Sequence, residues 1–462
     1  MVFIGRQDEL AKFEKRYGSA DSELVFLYGR RRIGKTEFLR RFADDKKTFF
    51  FSASESHDNE QRERFTQSML SFGFDGDPAS LRGWESILRN LRKLRCDGKT
   101  LVIIDEFQYM FAGNRSIPSI LQNVWDEHLS KENIMIVLCG SAMSFIENEV
   151  LGSKNPLYGR ATAIFKMNEL PFGEAAMFFP EYTLNEKVTV YAILGGIPFY
   201  LKQFSPRLSV EENMRQNIFS SETILYNEAE FMLKQELRET ATYNTIISAI
   251  ALGSTKLNEI SQRTMIESSK LNVYLKNLTD LNIVTKEYSI SDTLKKSANI
   301  RNGLYKISDN FFRFWYRYVY PNRSDIEAGY AGPLVEEVVE SVSTEYTSLC
   351  FEELCIEYIR KLNALRKLPF TAKQIGRIWS KGFEIDIGAT DGRTILLGEC
   401  KWSVSPVGID TLNDMMDKIA LNKELVGYKE YLIYLFSKSG FTKALRDRDD
   451  VVLVGTDEIF GT

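Results

Sequence analysis

Lys35 and Thr36 close the string Gly29-Arg30-Arg31-Arg32-Ile33-Gly34-Lys35-Thr36, which fits the pattern G-x-x-x-x-G-K-[ST]. An apolar run from Leu24 to Tyr28 leads into it and a helix-like Glu37-Phe38-Leu39-Arg40 follows, the strand-then-helix context that this chemistry requires. Glycines let backbone N–H groups turn inward around phosphate oxygens, and the new helix points its positive end at them. Lysine then reaches the β and γ phosphates of a bound nucleotide, and the Thr36 hydroxyl serves Mg²⁺. The residues expected to cradle the phosphates are Gly29, Arg30, Arg31, Arg32, Ile33, Gly34, Lys35, Thr36 and Glu37. Inside the loop the three arginines supplement the charge on the phosphates or face solvent; a basic patch for nucleic acid is the other reading.

A second apolar run, Leu101-Val102-Ile103-Ile104, ends in Asp105-Glu106. At the carboxyl end of a parallel strand such acids face the ligand crevice. Asp105 is expected to hold Mg²⁺ through its water shell and Glu106 to polarise the attacking water, which adds hydrolysis to binding. The alternative is that the pair caps the next helix. Ile134 to Cys139 is followed by Gly140-Ser141, placing the Ser141 hydroxyl between the two acids and the γ-phosphate as a sensor. Arg160, in Pro156-Leu157-Tyr158-Gly159-Arg160, either stabilises transition-state charge, from its own chain or from a neighbour in a homo-oligomer, or forms a surface salt bridge.

More carboxylates gather near the C-terminus. Asp391-Gly392 between two β-patterned runs is a type I′ turn signal, which predicts a two-residue turn pairing Thr390 with Arg393. Counting outward, Asp386 faces Leu397 and Glu384 faces Glu399, so Glu384, Asp386, Glu399 and Lys401 project from one side of the hairpin. Like charges so close call for a divalent cation, and oxygen ligands favour Mg²⁺ or Mn²⁺. Asp386 and Glu399 are the expected ligands, with Lys401 orienting the bound water or steadying the phosphate. A solvated hairpin with a polar outer face is the bland alternative. The D…E-x-K arrangement resembles the PD-(D/E)xK nuclease core, and that resemblance implies Glu352, on the preceding helix, as the third acid. Ile385 stands where the motif has its proline.

The elements that must position these residues are legible in outline. At ~150 residues per domain, 462 residues suggest about three domains. From about residue 20 to 170, apolar runs of four or five alternate with helix-length segments, which describes a parallel sheet covered by helices. From 171 to 330 helical periodicity takes over, as in Leu271, Leu275 and Leu278. Lys256–Arg263, Ser268–Leu278 and Ile283–Lys286 read as helix, turn, helix, wing, with Ser269, Lys270, Asn272, Lys276 and Asn277 exposed to DNA. Nearby acids almost cancel the lysines, so a plain packing role is equally open. The aromatic stretch Phe311–Tyr318 is read as core, and Tyr320–Asp325 as the best boundary before a helix, Val335 to Leu362, and a separate α/β domain.

Composition narrows the classes further. With 59 Lys plus Arg against 63 Asp plus Glu, the net charge of −4 allows only a local nucleic-acid patch. Two histidines, His57 and His128, make histidine-zinc chemistry and a Ser-His-Asp triad poor expectations. Five scattered cysteines without a C-x-x-C pair fit free thiols in a reducing compartment. A charged N-terminus and the lack of a long apolar span predict a cytoplasmic protein that crosses no membrane.

Phe3-Ile4-Gly5-Arg6 with Glu9-Leu10, the GRRRIGKT loop, LVIIDEFQ, LCGS, PLYGR and Gly195-Gly196-Ile197-Pro198-Phe199-Tyr200 together resemble the archaeal-type P-loop ATPases of the AAA-like and STAND-like group. The resemblance spans essentially the whole chain. It implies ATP binding and hydrolysis, base contacts near Phe3 to Arg6, a helical lid carrying the Gly-Gly-Ile-Pro turn, a winged helix and a restriction-endonuclease-like C-terminal domain. The expected organisation is a P-loop ATPase domain over 1–170, a helical lid over 171–235, a winged helix over 236–320 and a nuclease-like domain over 325–462. The expected activity is ATP hydrolysis coupled to a domain that binds and cuts nucleic acid, with a nucleotide-dependent switch that docks DNA or protein without cutting as the alternative.

Overall fold

The computed structural model describes residues 3–96, 98–141, 156–290, 303–380, 382–422 and 425–461. They form two compact units, residues 1–170 with 197–199 and residues 171–196 with 200–462. No helix among the described residues is long and apolar enough to cross a membrane, and all five cysteines are free.

In the first unit, strands β1 (Glu23–Tyr28), β2 (Thr48–Ser52), β3 (Thr100–Asp105), β4 (Ile134–Gly140) and β5 (Ala163–Lys166) make one sheet in the order β2-β3-β4-β1-β5. Every pairing is parallel. Side chains alternate along each strand, so both faces of β1 must be covered. Leu24, Phe26 and Tyr28 pack with Phe49, Phe65, Trp84 and Trp125 on one face. Val25 and Leu27 pack on the other with Phe13 of helix α1 (Gln7–Tyr17) and with Phe38, Leu39 and Phe42 of helix α2 (Lys35–Ala43). Tyr28 lies beside Gly140, so β1 and β4 end level, and β3 ends one strand further along. The chain leaves β1 for the far edge and returns through β3 and β4, which opens a crevice at the strand ends where the connection reverses.

The second unit opens with helices Leu184–Leu194, Val210–Asn217 and Ile224–Glu236. The first two start at reciprocal caps, Thr183 with Glu186 and Ser209 with Glu212. Helices Thr240–Ala251, Leu257–Thr264 and Ser268–Asp280 follow, then an antiparallel pair, β6 (Val284–Glu287) with β7 (Leu304–Ile307). Leu271, Leu275 and Leu278 are buried, as their spacing predicts. Phe311, Phe312, Phe314, Trp315 and Tyr316 are core. Tyr320–Asp325 is no linker: a helical path runs from Asn310 through Glu327, and Ile326 is buried. Arg323 ties this stretch to the helix Ile224–Glu236, donating to Glu230 and to Tyr226 Oη at 3.3 Å.

The C-terminal sheet has strands β8 (Gln374–Ser380), β9 (Phe383–Thr390), β10 (Thr394–Lys401), β11 (Glu430–Ser437) and β12 (Val451–Gly455), in the order β12-β11-β10-β9-β8. Strands β8, β9 and β10 are antiparallel neighbours, whereas β10, β11 and β12 run parallel. The helix Thr347–Ala364 packs on β8, β9 and β10. The hairpin register differs from the two-residue turn: Thr390 pairs with Ile395, not Arg393. Asp391 uses its carboxylate to accept from the N–H groups of Arg393 and Thr394, each at 2.8 Å, and Thr390 Oγ1 donates to the Thr394 carbonyl at 2.7 Å. Gly392 takes a positive φ of 96° and Asp391 does not, which excludes type I′. Continuing this register sets Asp386 beside Glu399 and Glu384 beside Lys401. A shift of two residues preserves the face, so the sidedness deduced from alternation survives the wrong turn.

Candidate functional site

Burial of all six residues of β1 carries the backbone rigidly to Gly29. A Cβ at Gly29 would sit 2.5 Å from the Met167 carbonyl oxygen, so only glycine fits. Arg32 and Gly34 adopt positive φ of 71° and 92°, and helix α2 starts at Lys35. Gly34 meets that demand without strain; Arg32, a side-chain residue in the left-handed region, marks a loop held by its surroundings. Its guanidinium lies 4.0 Å from the Phe199 ring centroid. Of the other loop residues, Arg30 and Ile33 are buried, Arg31 is half-buried and Glu37 is exposed. Arg6, also left-handed at φ 65°, is buried and donates to the carbonyls of Asn168 at 2.6 Å and Ile33 at 3.5 Å. Arg6 therefore braces the loop from behind.

Lys35 is buried and its Nζ donates to the carbonyls of Gly29 at 2.8 Å and Arg30 at 3.0 Å. Burial pushes its pKa below the usual lysine range, while the Glu106 and Asp105 charges partly offset that. Thr36 Oγ1 donates to Asp105 Oδ2 at 2.7 Å. The other Asp105 oxygen accepts the Glu106 N–H at 3.0 Å. Glu106 turns left-handed at φ 55°, which swings its carboxylate toward the end of β4, where Ser141 Oγ donates to Oε2 at 2.9 Å. Gln108 donates to the same carboxylate oxygen and to Ser141 Oγ.

Thr36, Asp105, Glu106 and Ser141 are thus one hydrogen-bonded group across three strand ends, and Lys35, next to Thr36, keeps its ammonium on the loop carbonyls. Gln108 is a member that the sequence did not single out; its place two residues after Glu106 was the one available signal. Arg160 stands elsewhere. Its guanidinium makes a two-pronged ion pair with Asp126 of the helix Ile117–Glu127, with 2.8 Å from Nη2 to Oδ2 and 3.2 Å from Nε to Oδ1. The salt bridge, not a finger aimed at the loop, is its arrangement here.

In the C-terminal sheet Asp386, Glu399 and Lys401 come to one end of β9 and β10. Lys401 Nζ donates to Glu399 Oε1 at 2.8 Å, and Lys418 Nζ to Oε2 at 3.0 Å. Asp386 accepts the Cys400 N–H at 2.8 Å. Burial, then the nearby Glu399 charge, raises Asp386 to about 6. Burial, then Asp386, raises Glu352 to about 8, against the pull of Arg377, which donates to it at 2.9 Å. Glu384 points outward and pairs with Arg377 at 2.7 Å. Among the described residues no three His, Cys, Asp or Glu side chains gather closely enough to hold a metal. Glu352 is drawn to Arg377 and Glu399 to two lysines, so the expected set of Glu352, Asp386 and Glu399 is not assembled around one point. Arg377 and Lys418 carry no motif and were not anticipated.

Residues 3–204 match the family model described as an ATPase domain predominantly from Archaea, and residues 315–411 match one described as archaea bacterial proteins of unknown function. An uncharacterized protein of Methanocaldococcus jannaschii is 31% identical over 406 residues, covering 87% of this chain and 88% of that one. The chain belongs to the same archaeal ATPase-domain family. A short stretch, 10% of the chain, is 38% identical over 47 residues to an uncharacterized ATP-binding protein of the same organism, covering 80% of it. Among solved structures, a Walker-type ATPase of Pyrococcus abyssi superposes with a TM-score of 0.52 at 20% identity, covering 68% of this chain and 96% of that one. That likeness is one of fold: the parallel sheet of the archaeal ATPase domain carries its phosphate loop after β1 and its acids after β3.

Proposed function

We propose that this archaeal-type ATPase hydrolyses Mg-ATP at the β1, β3 and β4 strand ends, and that its C-terminal sheet holds a divalent-cation-dependent centre that cleaves nucleic acid. The observation that carries the first part is the 2.7 Å bond between Thr36 Oγ1 and Asp105 Oδ2. A hydroxyl and a carboxylate in contact are a hard-oxygen pair, and Mg²⁺ takes one or two such protein ligands beside phosphate oxygens and water. When bound, Mg²⁺ neutralises charge on the β and γ phosphates. Lys35 exchanges two loop carbonyls for phosphate oxygens, the loop N–H groups turn to the phosphates, and Glu106, oriented by Ser141 and Gln108, polarises the attacking water. Calorimetry with Mg-ATP and phosphate release by the unaltered chain and Glu106→Gln test this reading: unchanged release in the variant contradicts it.

Support for the second part is the juxtaposition of Asp386, Glu399 and Lys401. Two neighbouring carboxylates, one raised to about 6 by burial and by the other's charge, leave negative charge that a cation relieves. Two ligands suffice for Mg²⁺ when substrate phosphate and water complete the shell, so a three-residue cage is not needed. Lys401 then steadies charge on the scissile phosphate. Nucleic acid as the substrate is supported by the exposed Ser269, Lys270, Asn272 and Lys276 on the helix expected to be the reading helix of a winged helix; Asn277 instead donates to Tyr243 Oη at 2.7 Å. Incubating the full chain with DNA and RNA in Mg²⁺ or Mn²⁺ tests this, and products that persist in Asp386→Ala overturn it. A switch that docks without cutting predicts binding and no products.

A further inference from the structure

The second unit has an open-sided cavity of about 590 Å³ whose lining takes Arg377 alone from the carboxylate cluster described above. Its lining includes Lys306, Arg313, Arg317 and Arg377, against a single acid, Glu353, together with the rings of Tyr318 and Tyr346. Among the described residues the Nε–H groups of Arg313 and Arg377 are buried without a hydrogen-bond acceptor, and a ligand reaches them only when the guanidinium heads turn. A buried guanidinium N–H left unpaired is costly, and an anion is its natural acceptor. Arg317 pairs with the exposed Glu345 at 3.3 Å, and Lys306 shares Glu353 and Glu287 at 3.3 and 3.2 Å. Glu345 is exposed and Glu287 and Glu353 are half-buried, so water can solvate each carboxylate when its base turns to a phosphate oxygen.

The backbone around the cavity is also unusual. Trp315–Val319 and Val342–Tyr346 are π-helical turns, each inserted in a longer helical run. The first supplies Arg317 and Tyr318, the second Tyr346. Single π turns cost helix regularity and occur mostly where they aim functional side chains. Here the first turn delivers the Tyr318 ring and the Arg317 cation to the space and the second sets the fully buried Tyr346 in its wall, while the rest of the aromatic stretch stays in the core. The arginines lie near those rings, Arg317 at 5.5 Å from Tyr318 and Arg313 at 5.6 Å from Tyr346. A volume of this size takes one drug-sized molecule and not a length of strand.

We propose that this cavity binds a phosphorylated ligand with an aromatic ring, of mononucleotide size, its phosphate on the Arg313, Arg317, Lys306 and Arg377 donors and its ring against Tyr318. The inference is independent of both activities proposed above. Its test uses the full chain carrying Lys35→Ala, which disables the phosphate loop, titrated with AMP and UMP in a calorimeter. Saturable binding is expected, weakened about tenfold or more by Arg317→Ala and by Lys306→Ala, with the matching nucleosides binding far less well. Absence of saturable binding, equal binding of nucleosides, or indifference to both variants overturns the proposal. Binding of a twelve-nucleotide strand without binding of the monophosphates also overturns it, in favour of a strand entry. Should Lys35→Ala fail to fold, photo-crosslinking of 8-azido-AMP to the unaltered chain decides: labelled peptides are expected to include Tyr318, and labelling confined to the phosphate loop refutes the site.

Discussion

Replacing Lys35 by methionine should separate binding from stability, because the structure assigns the two opposite signs. The ammonium is buried against two carbonyls at 2.8 and 3.0 Å, and its pKa is lowered by burial, so the free protein keeps the charge there at a cost. An apolar chain of similar length removes that cost, and the unliganded first unit should melt no lower than before. With Mg-ATP the balance reverses. Two hydrogen bonds from a charged donor, at about 1.5 kcal/mol each, amount to about 3 kcal/mol, or roughly 150-fold in Kd. At a ligand concentration 100 times the original Kd, linkage stabilises the unaltered unit by about 2.7 kcal/mol and the variant by about 0.3 kcal/mol. For a unit of this size the shift in Tm should fall from roughly 5–10 °C to about 1 °C. Differential scanning fluorimetry with and without Mg-ATP reads both numbers. A variant that keeps the full ligand shift, or that loses more than about 2 kcal/mol without ligand, refutes the assignment of Lys35 to phosphate.

Glu106→Gln should retain ATP affinity while single-turnover phosphate release drops about 100-fold or more, the usual worth of a positioned general base. Gly29→Ala forces a Cβ to 2.5 Å from the Met167 oxygen and should destabilise the first unit as well as weaken Mg-ATP binding, both visible by melting. Asp386→Ala and Lys401→Ala should each abolish divalent-dependent cleavage of DNA or RNA with ATP turnover unchanged, measured side by side on one preparation. The raised pKa values make a pH prediction. Between the ordinary carboxylate range and about 6 for Asp386, or about 8 for Glu352, the folded chain keeps protons that the unfolded chain has released. Stability of the second unit without divalent cation should therefore fall as pH rises from about 4.5 to 8, and Asp386→Asn should flatten that slope in thermal melts; a slope of the opposite sign contradicts the buried-carboxylate account.

What the chain alone determined is whatever lies within a few consecutive residues. The phosphate loop, the Asp105-Glu106 pair and the alternation of apolar runs are local, because a turn around phosphate needs its glycines and its lysine at fixed offsets and a strand repeats every second residue. Sidedness of Asp386, Glu399 and Lys401 was legible for the same reason, and it outlived a misjudged turn because a slip of two residues returns every side chain to its face. Tertiary structure decided the rest. Arg160 meets Asp126, Lys418 meets Glu399, Arg377 divides itself between Glu352 and Glu384, and Arg32 lies over Phe199 through contacts between distant segments that no spacing encodes. The three carboxylates of the C-terminal sheet were expected to share one cation; the bases packed around them hold two of them apart. Even the aromatic stretch, sound as a core prediction, concealed that one extra residue per turn would tilt Arg317 and Tyr318 out of the core and into a cavity.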